Sequence, residues 1–301
     1  MILGVDVSRY QSIVDWDLLK SKGVEFAIVK ATQGNYSIDP KLAEYITEAH
    51  AAGMIVGAYH WCDPTVTVEG QAKYFLNNIQ NLAVDFVAAD VEQQWADWNE
   101  WKNRRVTNLL SPQKISDAAK QIISIWEAAL KMPVVIYTRT SFVEEFAKPM
   151  ESWLAKYSLW LAYYPYKAGA VSTSWDLFLS EYKPQITGPA LPPGCTQWTF
   201  WQFTGGKFIL PGVDTAVDVN YFNGTLDDLK KFAGIPVTPT EGTQAQAPAE
   251  QPASEVSSPT AIPDEPAASS SPDTTSQTES LSLEERVARL EAQARAHGWD
   301  I

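Results

Sequence analysis

In the stretch DFVAADVEQQW, residues 85 to 95, an apolar run ends in Asp90 and Glu92 on either side of one valine. An ionised carboxylate removed from water without a partner is costly. The pair is therefore either neutralised by basic neighbours or retained for chemistry. Residues two apart on a strand face the same side, about 6.5–7 Å apart along the chain, so both carboxylates can address one substrate. Crowded carboxylates drive their pKa values apart, leaving one protonated as an acid while another stays charged. Cleavage of a glycosidic bond needs that division of labour. The plainer reading has Asp90 capping a loop amide and Glu92 paired with Lys30 or a nearby arginine, and a D-x-E taken alone favours it. Two further acids stand at strand candidates, Asp6 in ILGVDV and Asp218 in VDVNYF.

The elements that would carry these residues are short apolar, β-branched runs alternating with helical stretches. Strand candidates are residues 2–7, 26–30, 54–59, 85–91, 133–137, 159–163, 199–203 and 216–220. Most are continuous apolar runs, as expected of strands covered on both faces. Between them, DPKLAEYITEAHAAG offers Asp39 as N-cap, Pro40 at the first helical position and Gly53 just past the end. Ile115, Ala119, Ile122, Trp126 and Leu130 repeat at helical spacing in the stretch 111–132. Such alternation predicts a parallel α/β barrel. Helix signals fade between the strands from about residue 159, so the expected fold is an irregular TIM-like β/α barrel of about eight strands with fewer helices over the last ones. Barrel enzymes of this kind build their sites at the C-terminal strand ends. Asp6, Asp90, Glu92 and Asp218 would then converge on one mouth.

The chain has 301 residues, enough for two domains or for one large barrel and a tail. Its 12 tryptophans and 45% hydrophobic residues supply a sizeable core, and several tryptophans sit close to the candidate site, where they suit either a ring-stacking cleft or plain core filling. The net charge is −13, and residues 236–301 hold 11 acids against 3 bases. No basic stripe exists to recruit nucleic acid. Cys62 and Cys195 form neither a disulfide framework nor a metal spacing and read as reduced thiols. His50, His60 and His297 make no ligand set, so neither metal nor cofactor is expected; His60 in AYHW reads as a hydrogen-bonded structural histidine. MILGVDVSRY enters a strand pattern without a basic start or a long apolar run. The expectation is synthesis in the cytoplasm without a signal peptide and no stable membrane insertion.

The organisation expected is a barrel over 1–235, a disordered linker over 236–280 and a short coiled-coil-like helix over 281–301. The linker is rich in Pro, Ser, Thr, Ala and Gln, with almost no large apolar side chains. In the last segment Leu283, Val287, Leu290, Ala294 and His297 step by alternating fours and threes. That is about two heptads, where ~3–4 make a convincing coiled coil. A homo-oligomerising helix and a lone amphipathic helix awaiting a partner both fit.

Taken together, ordered motifs across residues 2–223 resemble the family-25 glycoside hydrolases, the lysozyme-like muramidases of phage endolysins and bacterial autolysins. They are GVDVSRYQ, VDW, FAIVKATQG, GAYHW, QAKYF, DVE, IYT, LWLAYY, WQF and VDVNYF, in that order. The resemblance implies an irregular β/α barrel that hydrolyses the β-1,4 bond between N-acetylmuramic acid and N-acetylglucosamine in peptidoglycan. It implies retention, with a substrate-assisted route through the sugar's own N-acetyl group, a departure from the two-carboxylate scheme. Carried over by motif, Glu92 is the general acid and Asp90 orients the N-acetyl group or stabilises the intermediate. Asp6 and Asp218 complete an acidic floor, Asp218 rather than Asp214 matching the D-x-N-x-F pattern. Tyr59, Tyr137, Trp160, Tyr164 and Trp201 are candidates for an aromatic substrate-binding wall.

This chain departs from the family pattern in three places. KATQG carries Gln33 where Glu is frequent. QQWADWNEWKNRRV after DVE reads as an extended loop over the cleft, and no wall-binding repeats follow residue 236. The implied partner is the peptidoglycan glycan strand, reached after a holin-assisted release if the chain is a phage or prophage endolysin. Two rivals stay open: a glycosidase acting on a chitin-like polymer, and a non-catalytic glycan-binding barrel, whose mark would be loss of one of the four acids.

Overall fold

A computed structural model describes residues 1–93, 110–165, 176, 180 and 188–237. The proposed loop over 93–106 beyond Gln93, the linker after residue 237 and the C-terminal helix lie outside the described residues.

Among the described residues nine strands form one sheet: β1 (Ile2–Val7), β2 (Val24–Gln33), β3 (Ser37–Ile38), β4 (Ile55–Trp61), β5 (Phe86–Asp90), β6 (Val134–Thr138), β7 (Ser158–Ala162), β8 (Phe200–Gln202) and β9 (Asp218–Phe222). Eight of them close on themselves in the order β1, β2, β4, β5, β6, β7, β8, β9, with β9 returning to β1, while β3 hangs on β2 as a short antiparallel hairpin. Seven barrel strands run parallel. β9 does not: it is antiparallel to both β8 and β1. A parallel return needs a crossover of a dozen or more residues, usually a helix, and the chain over 203–217 folds into turns and isolated bridges instead.

Helices cover the first half of the barrel: α1 (Trp16–Ser21), α2 (Leu42–Ala51), α3 (Val68–Ile79) and α4 (Pro112–Ala129). The cap of α4 follows from its sequence, with Ser111 accepting from Lys114 N at 3.2 Å and Pro112 in the first turn, where its missing N–H costs nothing. At α2 the helix begins at Leu42, later than Asp39 suggested. Asp39 instead ties the turn before it, accepting from Arg9 N and Lys41 N at 3.1 and 3.0 Å. Gly53 closes this helix at φ +76°, a conformation strained for other residues. Between β6 and β7 lie the short α5 (Thr140–Phe146) and two 3-10 turns.

Strand alternation divides the core into two. One set of side chains faces outward beneath the helices, among them Val5, Val29, Val56, Val87, Ile136, Leu161 and Trp201. The other fills the barrel: Phe26, Ile28, Ile55, Phe86, Ala88, Val135, Tyr137, Trp160, Phe200 and Phe222. Its lower layer is aromatic, with Phe86 and Phe200 stacked at 5.1 Å and Phe26 edge-on to Phe200 at 5.3 Å. α6 (Leu226–Phe232) closes the bottom, with Leu229 fully buried and Phe232 against Phe86 and Phe200. Each fully buried side chain of this size contributes about 1.5–3 kcal/mol of hydrophobic stabilisation. The barrel is thus sealed below by apolar rings, and its polar inward residues are confined to the top.

Candidate active site

Continuing each strand's inward parity by one more step reaches the mouth. Asp6 follows Gly4 on β1, Asp90 follows Ala88 on β5, Tyr137 follows Val135 on β6, and Gln202 follows Phe200 on β8. Because β9 is reversed, Asp218 at its start, not its end, lies level with Asp6; the two are register partners. Together with Tyr59, Glu92, Trp160 and Tyr164 these residues line a cavity of about 200 Å³. Glu92 lies two residues beyond Asp90. Backbone bonds from Cys62 N to Asp90 O and from Val91 N to Tyr137 O, both 2.9 Å, hold the chain extended there. Glu92 therefore stays on the cavity side.

The four carboxyl groups are not equivalent. Asp6 accepts from Asn220 Nδ2 at 2.7 Å and from Gln202 Nε2 at 3.0 Å, and burial still pushes it up to about 6 against those donors. Asp218 accepts from Gln202 Nε2 at 3.2 Å and from the backbone N–H of Gly206. Burial first, then the charge of Asp6, raises Asp218 well above the usual carboxylate range. Burial pushes Glu92 up to about 7, opposed by Arg139 and Lys30. Asp90 is raised well above its ordinary value by burial and then by Glu92, while Lys30 pulls the other way. Its Oδ1 is buried with no hydrogen-bond partner among the described residues. Native structures seldom leave such an atom unsatisfied, and at a cavity wall a ligand donor is the natural complement.

The neighbouring side chains hold this set in place. Trp160 Nε1 donates to Asn220 Oδ1 at 2.8 Å, so the tryptophan supports the amide that holds Asp6. Tyr137 packs edge-on against Trp160 at 4.5 Å, and Tyr59 does so at 6.0 Å. Tyr164, in the loop after β7, is 45% exposed and forms the open side of the wall. Lys30 stands on β2 with its ammonium 4.6 Å from the Trp61 ring centre. Burial lowers its pKa while Asp90 and Asp39 raise it. Among the described residues no ion pair joins Lys30 to Glu92, and the positive charges that oppose the burial of Glu92 are Arg139 first and then Lys30.

The cavity gathers eight of the nine residues named from sequence: Asp6, Asp90, Glu92, Asp218, Tyr59, Tyr137, Trp160 and Tyr164. Trp201 is the correction. It has the opposite parity to Phe200 and Gln202, is 1% exposed, and donates Nε1 to the Tyr163 carbonyl at 2.7 Å within the outer core. Gln202 takes the place in the cavity instead. Period-2 alternation through FWQF carried that signal, since a polar residue on the inward face of an aromatic strand needs partners inside. Asp214 is exposed, and its backbone N–H donates to Ile13 O, outside the cavity lining. His60 is fully buried between Thr32 and Gln71, at 2.7 and 3.1 Å, and burial lowers it to about 4, so it stays neutral and ties β2, β4 and α3 together. A larger groove of about 960 Å³ lies outside the barrel between α4 and the 3-10 turns, and it holds none of the four acids.

The sequence profile of the glycosyl hydrolases family 25 matches residues 5–213. Lysozyme M1 of Streptomyces globisporus is 28% identical over 237 residues, 77% of this chain and 71% of its own length. Among solved structures, the bacterial lysozyme from Streptomyces coelicolor is 26% identical, covering 77% of this chain and 96% of its own, with a TM-score of 0.62. The CTP1L endolysin is 27% identical, covering 78% and 70%, with a TM-score of 0.56. Asp218 lies five residues beyond the profile match, and its place in the cavity comes from the structure.

Proposed function

The chain belongs to the family-25 glycosyl hydrolases and is a glycoside hydrolase acting on peptidoglycan, and from that premise we propose that it is an N-acetylmuramidase. It cleaves the β-1,4 bond between N-acetylmuramic acid and N-acetylglucosamine with retention. The observation that carries this reading is the unequal carboxylate pair at the end of β5: Glu92, poised to hold a proton near neutrality, and Asp90, with one buried oxygen lacking a partner among the described residues.

Glu92 donates its proton to the departing glycosidic oxygen as the anomeric carbon becomes cationic. The sugar's acetamido oxygen closes on that carbon, and Asp90 Oδ1 accepts the acetamido N–H, so the nitrogen lone pair feeds the forming bond. Glu92, now ionised, removes a proton from water, which opens the cyclic intermediate with overall retention. Two inversions at one carbon account for the stereochemistry. The Asp6–Asp218 floor adds negative potential beneath the cationic centre, and Tyr59, Tyr137, Trp160 and Tyr164 bound the sugar. The likeness to the endolysin supports a role in lysis, with the wall reached after another protein opens the membrane.

Digestion of purified peptidoglycan by the wild type and Glu92→Gln, with mass spectrometry of the soluble fragments, tests this. Fragments ending in reducing N-acetylmuramic acid, absent with the variant, are expected. Reducing ends on N-acetylglucosamine, or equal release from chitin, would overturn it.

A further inference from the structure

Gln202 makes four side-chain hydrogen bonds to four residues on different strands or loops. Its Nε2 donates to Asp6 Oδ2 at 3.0 Å and to Asp218 Oδ2 at 3.2 Å. Its Oε1 accepts from Tyr137 OH at 2.8 Å and from Tyr164 OH at 2.7 Å. An amide has two N–H protons and two carbonyl lone pairs, so all its capacity is used. The orientation is also fixed by chemistry. The flipped amide would turn its carbonyl toward the oxygens of Asp6 and Asp218 and remove the N–H that each of them accepts. The residue is 4% exposed, on the inward face of β8; the adjoining β9 carries Asp218, Tyr164 follows the adjoining β7, and Asp6 and Tyr137 stand one strand further on either side.

We propose that Gln202 is the positioning residue of this site, a single amide that holds Asp6 and Asp218 together through its nitrogen and sets the hydroxyl protons of Tyr137 and Tyr164 through its oxygen. This rests on the muramidase reading for what the site does, but not for how it is held. Two consequences follow. Asp6 and Asp218, two carboxyl groups on facing strands that burial raises, share one donor, and that donor lowers Asp6 against the burial. Each tyrosine has a single proton and gives it to Gln202, so toward substrate both phenol oxygens are acceptors. They select sugar hydroxyls or an acetamido N–H at their position rather than a carbonyl.

The test compares the wild type with Gln202→Met, an apolar side chain of similar length, and Gln202→Glu. Rates are followed from pH 4 to 9, Asp6 and Asp218 are titrated by carboxyl-carbon NMR, and folding is checked by circular dichroism. Gln202→Met is expected to lower kcat about 10- to 100-fold, as removal of a supporting partner does, and to move the Asp6 titration upward. Gln202→Glu is expected to be as poor near neutrality, where a third carboxylate joins the floor. It should recover toward the wild type as pH falls and the introduced carboxyl group gains a proton to donate. A folded Gln202→Met with unchanged kcat, unchanged pH profile and unchanged Asp6 titration overturns the proposal. So does a Gln202→Glu variant that fails to recover in acid when Gln202→Met does no worse. If the wild type cuts no peptidoglycan, the muramidase reading falls, while the Asp6 titration still decides the role of Gln202.

Discussion

Asp6 and Asp218 face each other across the antiparallel junction of β1 and β9, one at the end of its strand and the other at the start. The reversal of β9 is what brings the fourth acid to the mouth. Had β9 run parallel, a residue at its start would sit at the sealed, phenylalanine-lined bottom. The same geometry separates Asp218 from Asp214, four residues earlier, which is exposed and outside the cavity. Asp218→Asn is expected to lower kcat about 10- to 100-fold, and Asp214→Asn to leave it within about twofold. Initial rates on solubilised glycan strands check both, and equal effects would remove Asp218 from the floor.

Glu92 sets the pH dependence. Its raised pKa of about 7 comes from burial, so the neutral, proton-donating form persists to neutrality and the rate should fall as pH rises through about 7. Glu92→Gln should lower kcat about 10²- to 10⁴-fold and abolish that alkaline limb.

The same residue makes a stability prediction of definite sign. With its folded pKa above the unfolded value near 4.5, Glu92 binds more protons in the folded chain between those two values. Its contribution is therefore fully present below about pH 4.5 and is lost as pH rises toward 7. Glu92→Gln cannot ionise and avoids that loss. Thermal melts should show the variant gaining on the wild type between pH 5 and 8, with no further pH-dependent gain below pH 4. A variant less stable at pH 8 than at pH 5 relative to wild type would show that Glu92 is held by partners rather than strained by burial.

Lys30 tunes both Asp90 and Glu92 and makes no ion pair among the described residues. Its positive field opposes the raised values of Asp90 and Glu92, so Lys30→Met should move the alkaline limb to higher pH. It should also weaken catalysis at lower pH, because Asp90 ionises less readily. A pH–rate profile with both limbs unmoved would assign Lys30 only to packing on Trp61.

The sequence showed most of this site, and what it hid has physical causes. Asp6, Asp90 and Glu92 stand where apolar runs stop, a position legible from hydropathy alone. Asp218 was marked by its motif, yet nothing in a strand's residues records its direction; only the short, helix-free stretch before it hinted at β9's reversal. Gln202 went unnoticed because a neutral amide stands out neither by charge nor by hydropathy. Trp201 drew attention as a tryptophan near the site, although alternation through FWQF already places it with the outward set. β3 is two residues long and leaves no periodic trace.

The two tryptophans on neighbouring strands separate site from core. Trp160 faces inward and its Nε1 holds Asn220, which in turn holds Asp6; Trp201 faces outward and its Nε1 ties the Tyr163 carbonyl. Both are nearly fully buried, so burial does not distinguish them. Phenylalanine keeps most of the ring and removes the donor in each case. Trp160→Phe frees the Asn220 amide and should lower kcat, with the titration of Asp6 disturbed. Trp201→Phe leaves a buried carbonyl short of a donor and a smaller ring in a packed layer, a loss of about 1–3 kcal/mol of stability. Its kcat and KM per folded molecule should match the wild type. Urea unfolding alongside initial rates measures both, and a raised KM in Trp201→Phe with unchanged stability would return that residue to the substrate wall.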